Sequence, residues 1–461
     1  MKQFFIITFL SLAFGASSQN EVSTLYFGKT LLDFRYEPPL VLSTQAVDPR
    51  ECAASICDEQ GNLLFYSNGG VSPTAPPFQG GVFGSNNQLL SNGTMIDSGG
   101  CLSSYQGAII LPDPAGITPV SRKYYLFAKD CLESSFSTIH YNSGLTYSVI
   151  DMNANGGQGA VISKYNPVVP YHVVSMHSTG YEPLTAVLDA EGELKSGASG
   201  YWLFSYTDDS LYHIHFGVNG FDQFQKLVDG KGYLAVSPSR THMAVGNKLY
   251  RLDPLMGTVQ FRENLDVNAY DITFSPDGTK LYVISGTTLK QYDLEQSNVA
   301  ATEQTISSVP SGSRLLLAPS KRILVFQASS SYIDAEIVCP NNPGMACGWD
   351  PANIILGSNA LTPYSGKPNI PAHYLYGNST NCSLGLDENN PSLLSIHPNP
   401  ATTSVFITGL ENETTYVIYS SLGQIVLGGT TLGKEPIDLQ NLEKGTYFIE
   451  LANQYIRFVK Q

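Results

Sequence analysis

Asp151-x-Asn153-x-Asn155-Gly156 copies the first half of a calcium loop, with oxygen ligands at alternate positions and glycine at the sharp turn. A hard cation needs six to eight oxygens, and the twelfth position, where such a loop carries its bidentate carboxylate, is Ile162. The same residues suit an Asn/Gly-rich hairpin turn, and the missing carboxylate favours that reading. Calcium at Asp151, Asn153 and Asn155 is thus the one cofactor the residues offer. His213 and His215 would share one face of a strand and could form two corners of a metal site, yet no third ligand is recognisable near them, and ordinary strand histidines account for the pair. The acidic pair Asp208-Asp209 could serve glycoside cleavage only with a second carboxyl across a cleft, and a solvated turn is the simpler account. The patterns G-x-S-x-G, H-E-x-x-H and G-x-x-x-x-G-K-[ST] are absent, as is G-x-G-x-x-G in a strand-turn-helix setting. Hydrolase, zincin and nucleotide-binding readings lose their usual support, and no catalytic residue is assigned.

The elements that must hold these residues are strands. Period-2 alternation bounded by Gly, Asn, Asp and Pro recurs through residues 52–70, 107–130, 145–165 and 185–217, while helical patterning is nearly absent. Three later segments, 232–259, 270–295 and 313–338, resemble one another: an apolar strand, Ser-Pro or Ala-Pro, a polar turn, and a second apolar strand. Their spacings, 38 residues from Ser237 to Ser275 and 45 from Ser275 to Ser320, match a four-stranded propeller blade of about 40–45, and the chain up to Cys382 has room for about seven or eight. The expectation is an all-β fold: a propeller of seven blades, with an eighth allowed by length. Tyr and Phe, 27 and 21 in number, are enough to pack between such blades. A formal net charge of −14 removes the long-range attraction that nucleic acid or anionic lipid would need.

Residues 1–18 read as a secretory signal: Lys2, an apolar run over 4–14, then Gly15, Ala16, Ser17 and Ser18 before the cut. At 1.5 Å per residue that run spans only about 16 Å, too short for a membrane core of about 30 Å, and no other stretch is long and apolar enough for a transmembrane helix. Export places the seven cysteines in an oxidising compartment that permits up to three disulfides. Cys339 and Cys347, flanking the flexible PNNPGMA, are the expected pair, and Cys101 with Cys131 is plausible. Cys52 and Cys57, an odd number apart, would point to opposite faces of a strand.

Residues 275–283 (SPDGTKLYV) resemble the blade motif of YVTN/WD-like propellers, and 237–245 do so partly. LYFG…LLDF (25–34), CAASICDEQGNLLFYSNG, GAIILPDP, YYLFAKD and LTYSVIDMNANGGQGAV look like the successive N-terminal segments of large extracellular propeller proteins of Bacteroidetes, in the family's order. The chain departs from them by inserting SPTAPPFQGGVFGSNNQ (72–88) where the family continues with an aromatic-containing strand.

After a polar, turn-rich stretch, residues 392–461 show about seven short strands without cysteine, the pattern of a small antiparallel sandwich. Pro398-Asn399-Pro400, Tyr419, Leu422-Gly423-Gln424, Ile437-Asp438-Leu439, Gly445, Tyr447 and Lys460 occupy the positions of the type A C-terminal sorting domain of the Bacteroidetes type IX secretion system. That resemblance implies a sorting signal carried by Pro398, Asn399, Pro400, Gly423, Gln424, Gly445, Tyr447 and Lys460. It implies as partners the outer-membrane translocon and a surface peptidase, and delivery to the cell surface or medium. The division expected is signal 1–18, propeller 19–380, linker 381–391 and sorting domain 392–461. The body would bind a glycan or protein at one propeller face; the alternative is an extracellular propeller enzyme acting on polysaccharide or lactone.

Overall fold

The computed structural model describes residues 20–42, 51–70, 80–95, 104–129, 144–168, 183–190, 200–207, 210–229, 232–351, 354–356, 362–363, 366–378, 382, 395–408, 410, 414–420, 424–432, 435–451 and 454–461. The signal segment, Cys101, Cys131, Asp208-Asp209, Gly423 and most of the linker lie outside the described residues. Among the described residues all regular structure is β, apart from 3₁₀ turns of three or four residues, and no helix is long and apolar enough to cross a membrane. The chain divides into two compact units, residues 1–382 and 383–461.

The first unit is mostly a succession of antiparallel sheets folded up and down in chain order, with Tyr332–Ile333 and Ile354–Ile355 paired apart from them. The first holds three strands, Thr24–Phe27, Thr30–Asp33 and Leu40–Leu42. Six four-stranded sheets follow, opening with Cys52–Cys57, Ala108–Pro112, Leu184–Leu188, Leu234–Val236, Asp271–Phe274 and Arg314–Leu317. One parallel bridge, Ala160 to Ser91, links the second and third. The expected hairpins are present: Cys52–Cys57 pairs with Leu63–Ser67 around a turn in which the Asp58 carboxylate accepts the Gln60 and Asn62 N–H groups at 3.0 and 2.8 Å. Part of the inserted segment is itself a strand: Gly80–Gly84 pairs with Leu63–Ser67 and Leu89–Met95, and Phe83 stacks on Tyr66.

Apolar residues gather between consecutive sheets rather than within one. Ile56, Phe65, Ile110 and Leu126 join the second and third; Ile109, Phe127, Leu203 and Phe216 the third and fourth; Phe204, Val245 and Tyr250 the fourth and fifth. Phe27 meets Phe326 edge-on, so the first sheet packs against the seventh. Burying a side chain of this size stabilises by roughly 1.5–3 kcal/mol, and strands rich in Leu, Ile, Val and Phe therefore stack face to face. The opening strands are neighbours in chain order. A short strand, Lys367–Pro368, touches the opening strands of the seventh, first and second sheets and completes the circuit.

That strand begins a buried segment, residues 366–375, that runs through the middle of the circuit. Asn369 is buried and tied to three sheets: its N–H donates to Ala53 O at 3.0 Å, and its amide nitrogen to Gln106 O at 3.0 Å and Leu184 O at 2.6 Å. Lys367 Nζ donates to the Ile272 and Leu315 carbonyls at 3.2 and 3.1 Å, and Ala372 packs with the apolar cluster of the fourth and fifth sheets. The void left beside the segment is only about 60 Å³.

The disulfide expectation is corrected: Cys339 bonds to Cys382, and Cys347 is a buried free thiol. Loop flexibility brings Cys347 close to Cys339, but the chain leaving the central segment brings Cys382 to the same place. Cys52 and Cys57 end one strand and are not joined to each other.

In the second unit, Ser395–His397, Ser404–Thr408 and Ile437–Asp438 form one sheet, and Thr414–Ser420, Ile425–Thr431, Gly445–Leu451 and Gln454–Lys460 another. Alternating residues of both sheets, among them Val405, Ile407, Ile418, Ile437, Ile449 and Phe458, share one apolar core.

Candidate functional site

The Asp151 loop is the hairpin turn between Leu145–Asp151 and Ala160–Pro167. Asp151 Oδ1 accepts the Asn153 N–H at 2.8 Å, and the Asn153 amide donates to Pro119 O at 3.1 Å. Asn155 and Gly156 both take positive φ, 51° and 66°, which Asn and Gly tolerate best. Among the described residues no group of three or more His, Cys, Asp or Glu side chains is gathered to hold a metal.

His213 and His215 do share a face, on the strand Ser210–Gly217, and both lie against Trp202, with ring centroids 5.0 and 4.6 Å away. They do not converge on a common ligand. His213 Nδ1 donates to Gly257 O at 2.6 Å. His215 meets the Asp189 carboxylate at 2.9 Å from Nε2 and that of Asp222 at 2.6 Å from Nδ1, which leaves no lone pair for a metal. Hydrogen bonding to Asp189 first, then to Asp222, raises the His215 pKa above its ordinary value.

A second polar cluster lies where the buried segment enters the circuit. Asp271, fully buried, accepts Lys367 Nζ at 2.8 Å, Tyr105 OH at 3.3 Å and the Leu315 N–H at 2.8 Å. Beside it the Arg314 guanidinium lies 4.4–5.4 Å from the ring centroids of Tyr270, Tyr105 and Tyr233, a cation held by π faces. Nothing in the local sequence pairs these residues: Lys367 lies 96 positions from Asp271.

The largest cavity described is a cleft of about 760 Å³, of the size that takes a small ligand or a few residues of a peptide. The 3₁₀ turn before the first sheet and turns of the second and third line it with Glu21, Asp58, Glu59, Asp113 and Arg122, and Asn153 from the Asp151 loop joins them. Tyr124, Tyr201 and Tyr374 form the floor, each less than a tenth exposed, and burial pushes Tyr124 up to about 12, so its phenol stays neutral. Of these, Asn153 alone stands in a sequence pattern that suggests a ligand. Every other wall residue sits in a turn ordinary in composition, and only the order of the sheets brings the turns together.

The sorting residues are brought together in part. Asn399 Oδ1 accepts the Val459 N–H at 2.9 Å, Ala401 and Val459 are joined by a 2.7 Å backbone bond, and Gly445 lies opposite Lys460. The P-N-P segment is thereby clamped to the last strand. Tyr447 stacks on Phe458 and donates to Glu443 O at 2.9 Å. Gln424 stands apart, closing the turn after Thr414–Ser420 through its carbonyl, which accepts the Ser420 N–H at 2.8 Å.

No curated protein matches the chain. Among solved structures it is similar to a candidate 6-phosphogluconolactonase from Bacteroides fragilis, at 13% identity and TM-score 0.40, over 70% of this chain and 92% of that one. It is similar to AztD from Citrobacter koseri at 11% and 0.35, over 75% and 87%. Porphyromonas gingivalis PorZ, described as a surface component of the type IX secretion system, aligns at 10% and 0.21, over 96% and 75%. No residue role passes from these to this chain. Residues 395–461 match the family described as the secretion system C-terminal sorting domain, so the second unit is an address for type IX export to the cell surface or beyond.

Proposed function

We propose that the chain is a cell-surface-delivered β-propeller that binds a ligand at one face, exported through a C-terminal β-sandwich read by the type IX translocon and its surface peptidase. Seven up-and-down sheets, apolar clusters between consecutive sheets and a circuit of opening strands support a propeller of seven blades. The domains follow as signal 1–18, propeller 19–380, linker 381–391 and sorting sandwich 392–461. The observation that carries binding over catalysis is the filled centre. A lyase, glycosidase or lactonase of this architecture would need polar groups converging on an open channel. Here Lys367 and Asp271 are engaged with each other, and a void of about 60 Å³ admits no sugar ring. The cleft of about 760 Å³ is where a glycan or protein ligand would lodge, on loops held by a rigid scaffold.

A glycan array and a protein-capture screen on residues 19–391, run beside a polysaccharide and lactone turnover assay, test the reading. Binding without turnover, weakened at least tenfold by Glu59→Gln with Arg122→Ala, is expected. Turnover, or binding indifferent to the cleft pair, would overturn it. The Asp151 loop is expected to act as a turn alone, so the melting temperature in calcium should equal that in chelator, and a rise with calcium would restore the cation reading.

A further inference from the structure

The Cys339–Cys382 disulfide ties a turn of the seventh sheet to the last residue of the first unit. A third sulfur is beside it. In the pairing of Ala335–Ile337 with Trp349–Asp350, Glu336 lies opposite Asp350 and Ile337 opposite Trp349. Beyond that ladder the chain turns through the 3₁₀ residues Gly344–Cys347, and the Cys339 N–H donates to Cys347 O at 2.8 Å. That bond holds the two backbones in contact, and a disulfide needs Cα atoms about 4.4–6.8 Å apart, so a shift of the turn would let these two bond. Cys382 Sγ lies 3.1 Å from Val338 O, one residue from Cys339, and Cys347 is a free thiol with no exposed surface.

We propose that Cys347 is the resident exchange partner of this disulfide. The Cys347 thiolate attacks Cys339 Sγ; the Cys339–Cys382 bond breaks as Cys339–Cys347 forms; and Cys382 leaves as a thiolate that takes up the proton Cys347 lost. One disulfide and one thiol stand on each side of the reaction, so no oxidant or reductant is consumed. The shut form closes a span of 43 residues that contains the central segment. The exchanged form closes only the turn and releases residue 382 from its covalent tie to Cys339, while the Asn342 amide still donates to its carbonyl at 3.4 Å. Cys347 belongs to the apolar cluster of the seventh sheet, its thiol is hydrogen-bonded to the Tyr282 hydroxyl, and burial pushes that thiol up, so exchange waits on an opening of the turn or a rise in pH.

Peptide mapping of the full exported chain after thiol alkylation tests this, at neutral pH and at about pH 9, with circular dichroism confirming that the protein stays folded. The expected result is the 339–382 linkage alone at neutral pH. At the higher pH a 339–347 linkage with alkylated Cys382 appears, reverts on return to neutrality, and is lost in Cys347→Ser. Exclusive 339–382 linkage at both pH values, or alkylation of Cys382 that persists in Cys347→Ser, would overturn the proposal. In Cys382→Ser a spontaneous 339–347 bond is expected, and two free thiols in a folded variant would count against it. If that variant does not fold, the mapping of the unaltered chain decides.

Discussion

His215 and His242 respond to pH in opposite senses. His215, hydrogen-bonded to Asp189 and Asp222, has a raised pKa. It contributes stability that is complete below the unfolded value of about 6.5 and is lost as pH rises through the folded value. His242 is pushed down to about 4, first by burial and then by Arg262 and Arg251. Its Nε2 accepts from Arg262 at 3.1 Å, so the proton sits on Nδ1, which faces Thr241 Oγ1 at 3.0 Å. Folding favours the neutral ring, and its contribution is complete above about 6.5 and is lost as pH falls toward 4. Denaturant midpoints measured across pH should show His242→Gln flattening the acid side and His215→Gln the neutral-to-alkaline side. Lys367 makes a second residue-scale prediction. Burial lowers its pKa while Asp271 opposes that fall. Lys367→Met strands a buried carboxylate and should destabilise by about 3 kcal/mol or more in denaturant melts, whereas adding Asp271→Asn should recover part of the loss.

The repeated Ser-Pro and Ala-Pro turns show what the elements require. Ser237 Oγ accepts the Thr241 and His242 N–H groups, and Ser275 Oγ accepts that of Lys280 at 2.9 Å. Three residues after the Ser or Ala, each turn enters the left-handed region, at Arg240 (φ 63°), Gly278 (φ 76°) and Lys321 (φ 64°). Only one of the three is glycine, so the turn type is set by the hydroxyl or backbone bonds around it. A Cβ at Gly278 would also collide with Ser239. Gly278→Ala should therefore cost about 1–3 kcal/mol, read as a lowered denaturant midpoint with unchanged slope. These turns, the hairpins and the strand periodicity were legible because they depend on residues close in sequence. The disulfide and the cleft were not. Cys382 reaches Cys339 only because residues 366–375 cross the circuit, and that crossing depends on Asn369 finding the carbonyls of Ala53, Gln106 and Leu184, far apart in the chain. The stretch KPNIPAHYL has Pro at two places and no alternation, so local pattern carries no sign that it is buried.

At the scale of the whole molecule, address and body are separate compact units. Deleting residues 395–461 should leave a body with unchanged thermal unfolding that accumulates in the periplasm, as fractionation of a type IX-competent host would show, and appearance of the deleted form at the cell surface would contradict the address. The central segment bears on timing. It lies near the end of the first unit, and its partners extend back to Ala53, so the contacts that close the circuit are among those of greatest sequence separation, the kind that form late. A chain that still lacks residues 366–375 has its earlier sheets available to form but nothing with which to fill the middle. Its final closure is thereby deferred until almost the whole body is present in one place, and the last step of folding becomes a reading of the body's own length.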